Sequence, residues 1–245
     1  MDGVLLVDKP RGITSFSLVR GIRKVANVKR VGHAGTLDPD ATGLLLVCIG
    51  KATKLSDVLM SGDKTYQSQM IFGKVSDTFD DTGEITECSE HRVSRVELAE
   101  ALPSFTGKIL QKPPIFSAKK IAGKKLYEYA RKGQSVEIPE KEVRIDSIEI
   151  LDFQADQALI EVSCSKGTYI RSLIHDLGQK LKIGAIAKGI RRISSGNFDV
   201  SQAMVFGQEL ERQDIERALI PLSTLRRELF PQGSTIPPQL LRRVF

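Results

Sequence analysis

A chain of 245 residues with 41% apolar and 27% charged side chains can bury one large core or two modest ones, and its balance excludes a disordered polyelectrolyte. No apolar run approaches the roughly 18 residues that cross a bilayer, and Met1-Asp2-Gly3-Val4 lacks the basic start and cleavage site of a secretory signal, so a cytoplasmic location is expected. Against 30 Asp and Glu stand 36 Lys and Arg, and the resulting +6 admits a polyanionic partner without requiring one.

Val4 to Val7 predicts a short strand ending at Asp8-Lys9-Pro10-Arg11-Gly12, and Thr14-Ser15 offers a cap to a helix with Leu18, Val19, Ile22 and Val25 on one face. The next segment, Gly32 to Leu45, places Asp38 in a loop punctuated by Gly32, Gly35, Gly43 and Pro39, directly before the apolar run Leu44 to Ile49. Glycines permit positive φ and close backbone approach, and Pro39 biases Asp38 away from helical angles, so the loop can hold its carboxylate in a set place. Taken alone, Asp-Pro in a Gly-rich stretch is more often simply a turn before a buried strand, and the rest of the chain tips the balance.

Leu44 to Ile49 predicts a central strand, and Lys64 to Met70 a strand with one face on a cleft, where Tyr66 shares a side with Ser68 and Met70. Ser94-Arg95-Val96-Glu97 is a capping-box pattern opening a helix through Leu102 that Pro103 closes. Between Lys112 and Lys132 lie seven basic residues and one acid, Glu128, with Phe116, Tyr127 and Tyr129 interleaved. That local charge equals the excess of the whole chain and carries the ingredients of a nucleic-acid contact, although a solvated basic face is an equal alternative.

Val143 to Ile145 and Ile148 to Ile150 suggest a long strand with a break of register, paired with Ala158 to Val162. Thr168 is placed to cap a helix carrying Ile170, Leu173, Ile174, Leu177 and Leu181 as core. Arg171 in the first turn opposes the helix dipole, which suggests another use: holding a carboxylate through a forked pair of hydrogen bonds, with Asp38 the candidate partner. A plain surface arginine is the commoner role for such a position. The last 40 residues predict one helix near 209–219, then Pro221, Pro231, Pro237 and Pro238. Strand pairs interrupted by single helices point to an α+β fold around a mixed, mostly antiparallel sheet.

Other chemistries are excluded by spacing. Gly50-Lys51 lacks the glycine of a phosphate loop and no GxGxxG occurs. The stretch 77–84 misses calcium-loop spacing and reads as an acidic turn. Cys48, Cys88 and Cys164 are far apart and read as reduced structural residues, and His33, His91 and His175 have no metal-ligand spacing, so no metal is expected. His91 reads as exposed, His175 as structural, and His33, beside the Asp38 loop, as the candidate.

Six blocks in order, residues 3–15, 32–45, Lys64-Thr65-Tyr66, Lys112-Pro113-Pro114 through Arg131, Cys164 to Arg171 and Ile190-Arg191-Arg192, closely resemble the TruB family of tRNA pseudouridine synthases across about residues 3 to 200. The resemblance implies the pseudouridine synthase fold and isomerisation of uridine 55 in the T-arm loop of tRNA: cleavage of N1–C1′, rotation of the base and bonding of C5 to C1′, with no cofactor consumed. By this likeness Asp38 is the catalytic carboxylate, Tyr66 stacks on the target ring and helps remove the C5 proton, and Arg171 pairs with Asp38. Tyr169 and Ile190 pack the pocket, His33 fills space left by extruded nucleotides, and Lys9 supports the Asp38 loop. Lys119, Lys120, Lys124, Lys125, Arg131 and Lys132 are the expected RNA-backbone contacts. The implied organisation is a catalytic domain over 1–205 with a basic insertion at 112–135 and a short appendage over 206–245, where a full PUA-type domain is absent; a monomer is expected.

The physics fits those roles. A uridine in a folded loop must be flipped out at a cost of a few kcal/mol, offset by stacking and phosphate contacts. A closed pocket raises the pKa of Asp38, and a neighbouring guanidinium opposes that shift. Two other readings stand beside this one. A non-catalytic RNA-binding or tRNA-folding module would use the same basic segment; a glycoside hydrolase would need two opposed acids about 5 to 10 Å apart, and only Asp40 is near Asp38 in sequence.

Overall fold

β1 (Gly3–Lys9), α1 (Ser15–Ala26), β2 (Val31–Ala34) and β3 (Thr42–Ile49) open the chain. Every residue from Leu44 to Ile49 is buried, because β3 is flanked on both edges and covered on both faces, the setting in which a continuous apolar run is stable. β1 lies antiparallel to β3 in the register Leu6↔Leu46, and β2 lies antiparallel on the other edge, pairing His33 with Val47. Thr14 caps α1 by accepting the Ser17 amide, and Leu18, Val19 and Ile22 are buried beneath it. A 3₁₀ turn at Gly50–Leu55 and α2 (Ser56–Ser61) lay Ala52, Leu55 and Leu59 into the same core as Val4, Leu6, Leu44 and Leu46.

This computed structural model describes residues 1–89, 92–207 and 209–230, with Leu240 and Val244. His91, Pro231, Pro237 and Pro238 lie outside the described residues. The chain divides into two compact units, Met1–Lys64 with Arg191–Phe245, and Thr65–Ile190. Both crossings fall inside strands, so no linker marks them in the sequence.

The second unit comprises β4 (Lys64–Phe72), β5 (Lys74–Ser76), β6 (Ile85–Glu87), α3 (Arg95–Ala101), β7 (Gly107–Gln111), β8 (Lys120–Ile121), β9 (Lys124–Lys125), α4 (Leu126–Ala130), β10 (Lys141–Gln154), β11 (Gln157–Cys164), α5 (Ile170–Lys180) and the start of β12 (Ala185–Ser195). Its sheet runs β12, β4, β11, β10, β7. The expected break of register is present as two irregularities between β10 and β11, at Ile145/Ser147 and Ile150/Asp152. Ser94 and Glu97 close the capping box of α3, which ends at Ala101 just before Pro103, as expected within one residue; the proline sits in a 3₁₀ turn, Leu102–Phe105, that follows. α5 buries Ile170, Leu173, Ile174 and Leu177 against Met70, Ile145, Ile160 and Val162. The Pro- and Lys-rich stretch, irregular in its sequence pattern, contains a two-residue hairpin turn at Ala122 and Gly123, both at positive φ, between β8 and β9.

The chain then returns to the first unit. The end of β12 runs parallel to β3, pairing Arg191 with Thr42 and Arg192 with Gly43. β13 (Phe198–Asp199) pairs back on β12, β14 (Met204–Val205) runs parallel to β1, and α6 (Arg212–Ala218) is the helix expected near 209–219. β15 (Ile220–Pro221) pairs with β1, and a second helix not expected from the sequence, α7 (Leu222–Leu229), buries Leu225. Pro221 permits this by sitting at the cap, where a missing amide costs the helix nothing. The arrangement is α+β, with mostly antiparallel strands flanked by helices.

Candidate active site

The Asp38 loop is braced from below by three buried polar side chains. Lys9, with no exposed surface, donates through Nζ to the carbonyls of Pro10 at 3.0 Å, Ile13 at 2.8 Å and Pro39 at 2.9 Å. Ser15 Oγ donates to the Leu37 carbonyl and accepts the Leu37 amide, at 3.1 and 3.0 Å. Arg192, 1% exposed, donates from Nε to Leu44 O at 2.6 Å and from Nη2 to Gly35 O at 3.2 Å. Gly12 N and Ala41 N close the loop on the carbonyls of Pro39 and Asp38. Two of the three punctuating glycines have positive φ: Gly35, and Gly43, where a Cβ would collide with the Arg192 backbone. Gly32 instead sits in β2 with ordinary strand angles, because the loop starts only after Ala34.

Asp38 itself is half-buried, and its neighbour Asp40 is taken by an exposed pair with Arg11 at 3.1 Å. Burial pushes Lys9 down to about 8, against the pull of the Asp40 and Asp38 carboxylates. His33, half-buried in β2, has its pKa lowered by burial and by the Arg192 charge, both of which disfavour the imidazolium; its Nδ1 is buried without a hydrogen-bond partner among the described residues. Arg191, next to the bracing arginine, forms a forked pair with Asp8 at 3.0 and 2.7 Å.

Tyr66, Tyr169, Arg171 and Ile190 belong to the second unit, together with the basic segment. Tyr66 and Ile190 are partly buried against its core. Tyr169 is the N-cap residue of α5 and makes no side-chain cap; Thr168, expected there, turns its hydroxyl back to Ser165 O at 2.9 Å. The reason is Gln111, which arrives from β7 and holds both polar groups of the Tyr169 backbone, at 2.8 and 3.0 Å, so the helix starts one residue later.

Arg171, 3% exposed in the first turn of α5, donates to the carbonyls of Thr78 and Phe116, each at 3.0 Å, and lies 3.4 Å from Asp80 Oδ2. Asp80 is a residue that sequence reasoning missed. The acidic stretch is the turn its spacing suggested, but its other carboxylate oxygen is fixed by Thr78 Oγ1 and by the amide and hydroxyl of Thr82, so that one oxygen is left for the guanidinium. The turn is anchored by Phe79, at φ +63, whose ring stacks on His175 at 3.9 Å, and by backbone bonds between Phe79, Asp81 and Ala187. An Asx-turn pattern at 80–82 was the available signal; nothing in the sequence links it to Arg171.

Of the basic side chains, Lys120, Lys124, Arg131 and Lys132 are exposed, whereas Lys119 reaches Pro139 O at 3.4 Å and Lys125 lies over the Tyr127 ring at 5.4 Å. Cys48 and Cys164 are buried and Cys88 exposed, all free thiols; burial pushes Cys48 up to about 12. Among the described residues no three His, Cys, Asp or Glu side chains gather as a metal site, and no helix is long and apolar enough to cross a membrane.

A half-buried carboxylate on a loop braced by buried polar groups is suited to proton or nucleophile chemistry; in the second unit, Arg171 is buried beside Asp80. The model of the TruB family pseudouridylate synthase N-terminal domain matches residues 23–170. The chain is 45% identical to tRNA pseudouridine synthase B of Clostridium acetobutylicum over 220 residues, covering 90% of this chain and 76% of that protein. It belongs to the TruB family. The Chlamydia felis tRNA pseudouridine synthase B is 47% identical, with 88% and 91% covered. Among solved structures, a Cbf5–Nop10–Gar1 complex aligns at 30% identity with a TM-score of 0.66 over 83% of this chain, which spans 52% of that one. An archaeal box H/ACA Nop10–Cbf5 complex aligns at 25% identity with a TM-score of 0.67, covering 92% and 61%. The TruB match runs from α1 to the first residue of α5, and so includes Asp38, Tyr66, Tyr169 and the basic hairpin, with Lys9, Arg171 and Ile190 outside it.

Proposed function

We propose that this protein isomerises uridine to pseudouridine in tRNA, at position 55 of the T-arm loop, acting in the cytoplasm as a monomer. The observation that carries the reading is the Asp38 loop: Lys9, Ser15 and Arg192 spend buried polar groups on fixing one short segment, which pre-organises a carboxylate for chemistry and serves no other evident end. Likeness to the tRNA pseudouridine synthases B supplies the substrate class.

In this reading the target uridine is flipped from its stack, and Asp38 acts at the nucleoside while N1–C1′ breaks, the base turns and C5 bonds to C1′. The C5 proton is the one lost and N1 regains one, so atoms balance without a cofactor or metal. Tyr66 stacks on the freed ring and assists the C5 proton; Arg171 holds the Asp38 carboxylate ionised; Tyr169 and Ile190 line the base, and His33 occupies space beside the extruded nucleotides. Lys120, Lys124, Arg131 and Lys132 contact phosphates, with Lys119 and Lys125 behind them. The hairpin supports this: its register sets Lys120 directly opposite Lys125, a like-charge pair that costs stability unless a polyanion neutralises it.

The test is pseudouridine mapping by chemical labelling on an unmodified tRNA transcript and on a T-arm stem-loop. The wild type forms the modified base, and Asp38→Asn binds RNA but loses at least about 10⁴-fold in product formation. Turnover by the variant removes Asp38 from the chemistry, and no product from the wild type overturns the assignment.

A further inference from the structure

From Lys9 to Leu37 the sequence holds seven basic residues and no acid. This stretch escapes a count over the whole chain, because acids elsewhere cancel it. Lys9 is buried in the loop brace and Arg11 pairs with Asp40, which leaves Arg20, Arg23, Lys24, Lys29 and Arg30, all exposed. Among the described residues none of these five side chains meets a carboxylate.

Three residues at helical spacing, Phe16, Arg20 and Arg23, form one exposed stripe along α1, beside the face that buries Ser15, Leu18, Val19, Ile22 and Ala26. Phe16 at the head of the stripe is 69% exposed, among the largest apolar exposures in the protein. The helix dipole accounts for part of this, since Arg23 and Lys24 are in the last turn. It does not account for Arg20, for the exposed ring, or for a first turn with no acid where the dipole favours one. The neighbouring helix α6 carries carboxylates, but they are spent within it: Glu211 and Asp214 cap each other's amides, and Glu216 pairs with Arg212 at 2.8 Å. The face is thus an uncompensated positive field with one aromatic, the composition suited to a phosphate backbone and an unpaired base.

We propose that the exposed face of α1 is a second RNA contact surface, in which Arg20, Arg23 and Lys24, continued by Lys29 and Arg30, neutralise phosphates and Phe16 stacks on a base. It rests on the reading of the protein as an RNA-modifying enzyme and adds a surface distinct from the basic hairpin. Ser15, one residue from Phe16, bonds the Leu37 backbone, so RNA held on this face is held next to the Asp38 loop.

Binding of an unmodified tRNA transcript is measured across salt concentrations. The triple variant Arg20→Gln/Arg23→Gln/Lys24→Gln shows a slope of log K against log salt shallower by about 2.1 to 2.7, at roughly 0.7 to 0.9 per phosphate contact. Phe16→Ala weakens binding at least about fivefold without changing the slope. If the triple variant unfolds, Arg20→Gln alone, at a surface position, lowers the slope by about 0.7 to 0.9. A folded variant with the wild-type slope overturns the proposal, as it would if the face docks a protein instead. Because the readout is binding, a wild type that binds but forms no pseudouridine defeats the enzymatic reading and leaves this one standing.

Discussion

Lys9 shows how one buried cation can set opposite trends in stability and activity. Its ammonium titrates at about 8 instead of 10.5, because burial outweighs the attraction of Asp40 and Asp38. Since the folded value is the lower one, the native state gives up a proton from about pH 8 upward that the unfolded chain keeps up to about 10.5, and this group's contribution to stability rises with pH across that window. Activity moves the other way, because a neutral amine has two hydrogens for the three carbonyls of Pro10, Ile13 and Pro39. The pH–rate profile of the wild type therefore shows an alkaline fall with its midpoint near 8. Lys9→Met lacks that limb, has a lower plateau, and is less stable by about 2 kcal/mol in urea at pH 7. An identical limb in both proteins assigns the titration elsewhere. Arg192 and Asp80 act at the same scale as positioning groups: each fixes a neighbour that the sequence marked, the Asp38 loop in one case and Arg171 in the other.

Among the elements, the basic hairpin is where local sequence and function pull against each other. Ala122 takes φ +48 and Gly123 +82 to make the tight turn, which sets Lys120 against Lys125 and Ile121 against Lys124. Tyr129 OH fastens the turn through Ile121 O at 3.2 Å. Exposed Lys120 and Lys124 are thus presented by a held scaffold. Lys120→Glu/Lys124→Glu makes the salt slope of tRNA binding shallower by about 1.4 to 1.8, and Lys119→Gln, whose amine already bonds Pro139 O, changes it by under half a contact. Equal effects from both variants would place the hairpin in solvent. α5 was legible in its apolar face and illegible at its start: periodicity belongs to the helix, whereas the cap belongs to Gln111, far off in sequence. α7 was hidden by its proline, which reads as a breaker but stands at the cap.

At the scale of the molecule, the two ends of the chain complete one unit. Residues 191–230 supply the parallel partner of β3, both outer strands on β1, and apolar side chains from Phe198, Ile220, Leu222 and Leu225 to the core of Val4, Leu6 and Leu46. Leu225, with no exposed surface, is a core residue of the first unit in all but sequence position. Leu225→Ala costs about 2 to 4 kcal/mol in urea unfolding. A loss under about 1 kcal/mol would make this segment a peripheral strap.

The periodic apolar faces of α1 and α5, the capping box of α3, the doubly buried β3, the broken register of β10 and the candidate carboxylate in its glycine-punctuated loop were all readable from the chain, because each depends on residues within a few positions of one another. Partnerships over long separations were not, apart from the support of the Asp38 loop by Lys9 that the family resemblance implied: Arg192 to Gly35, Asp80 to Arg171, Gln111 to Tyr169, and the return of the last residues to β1. A side chain of a given type advertises what it can bond, but which carbonyl or carboxylate reaches it is settled only when packing of the sheets brings distant backbone within about 3 Å.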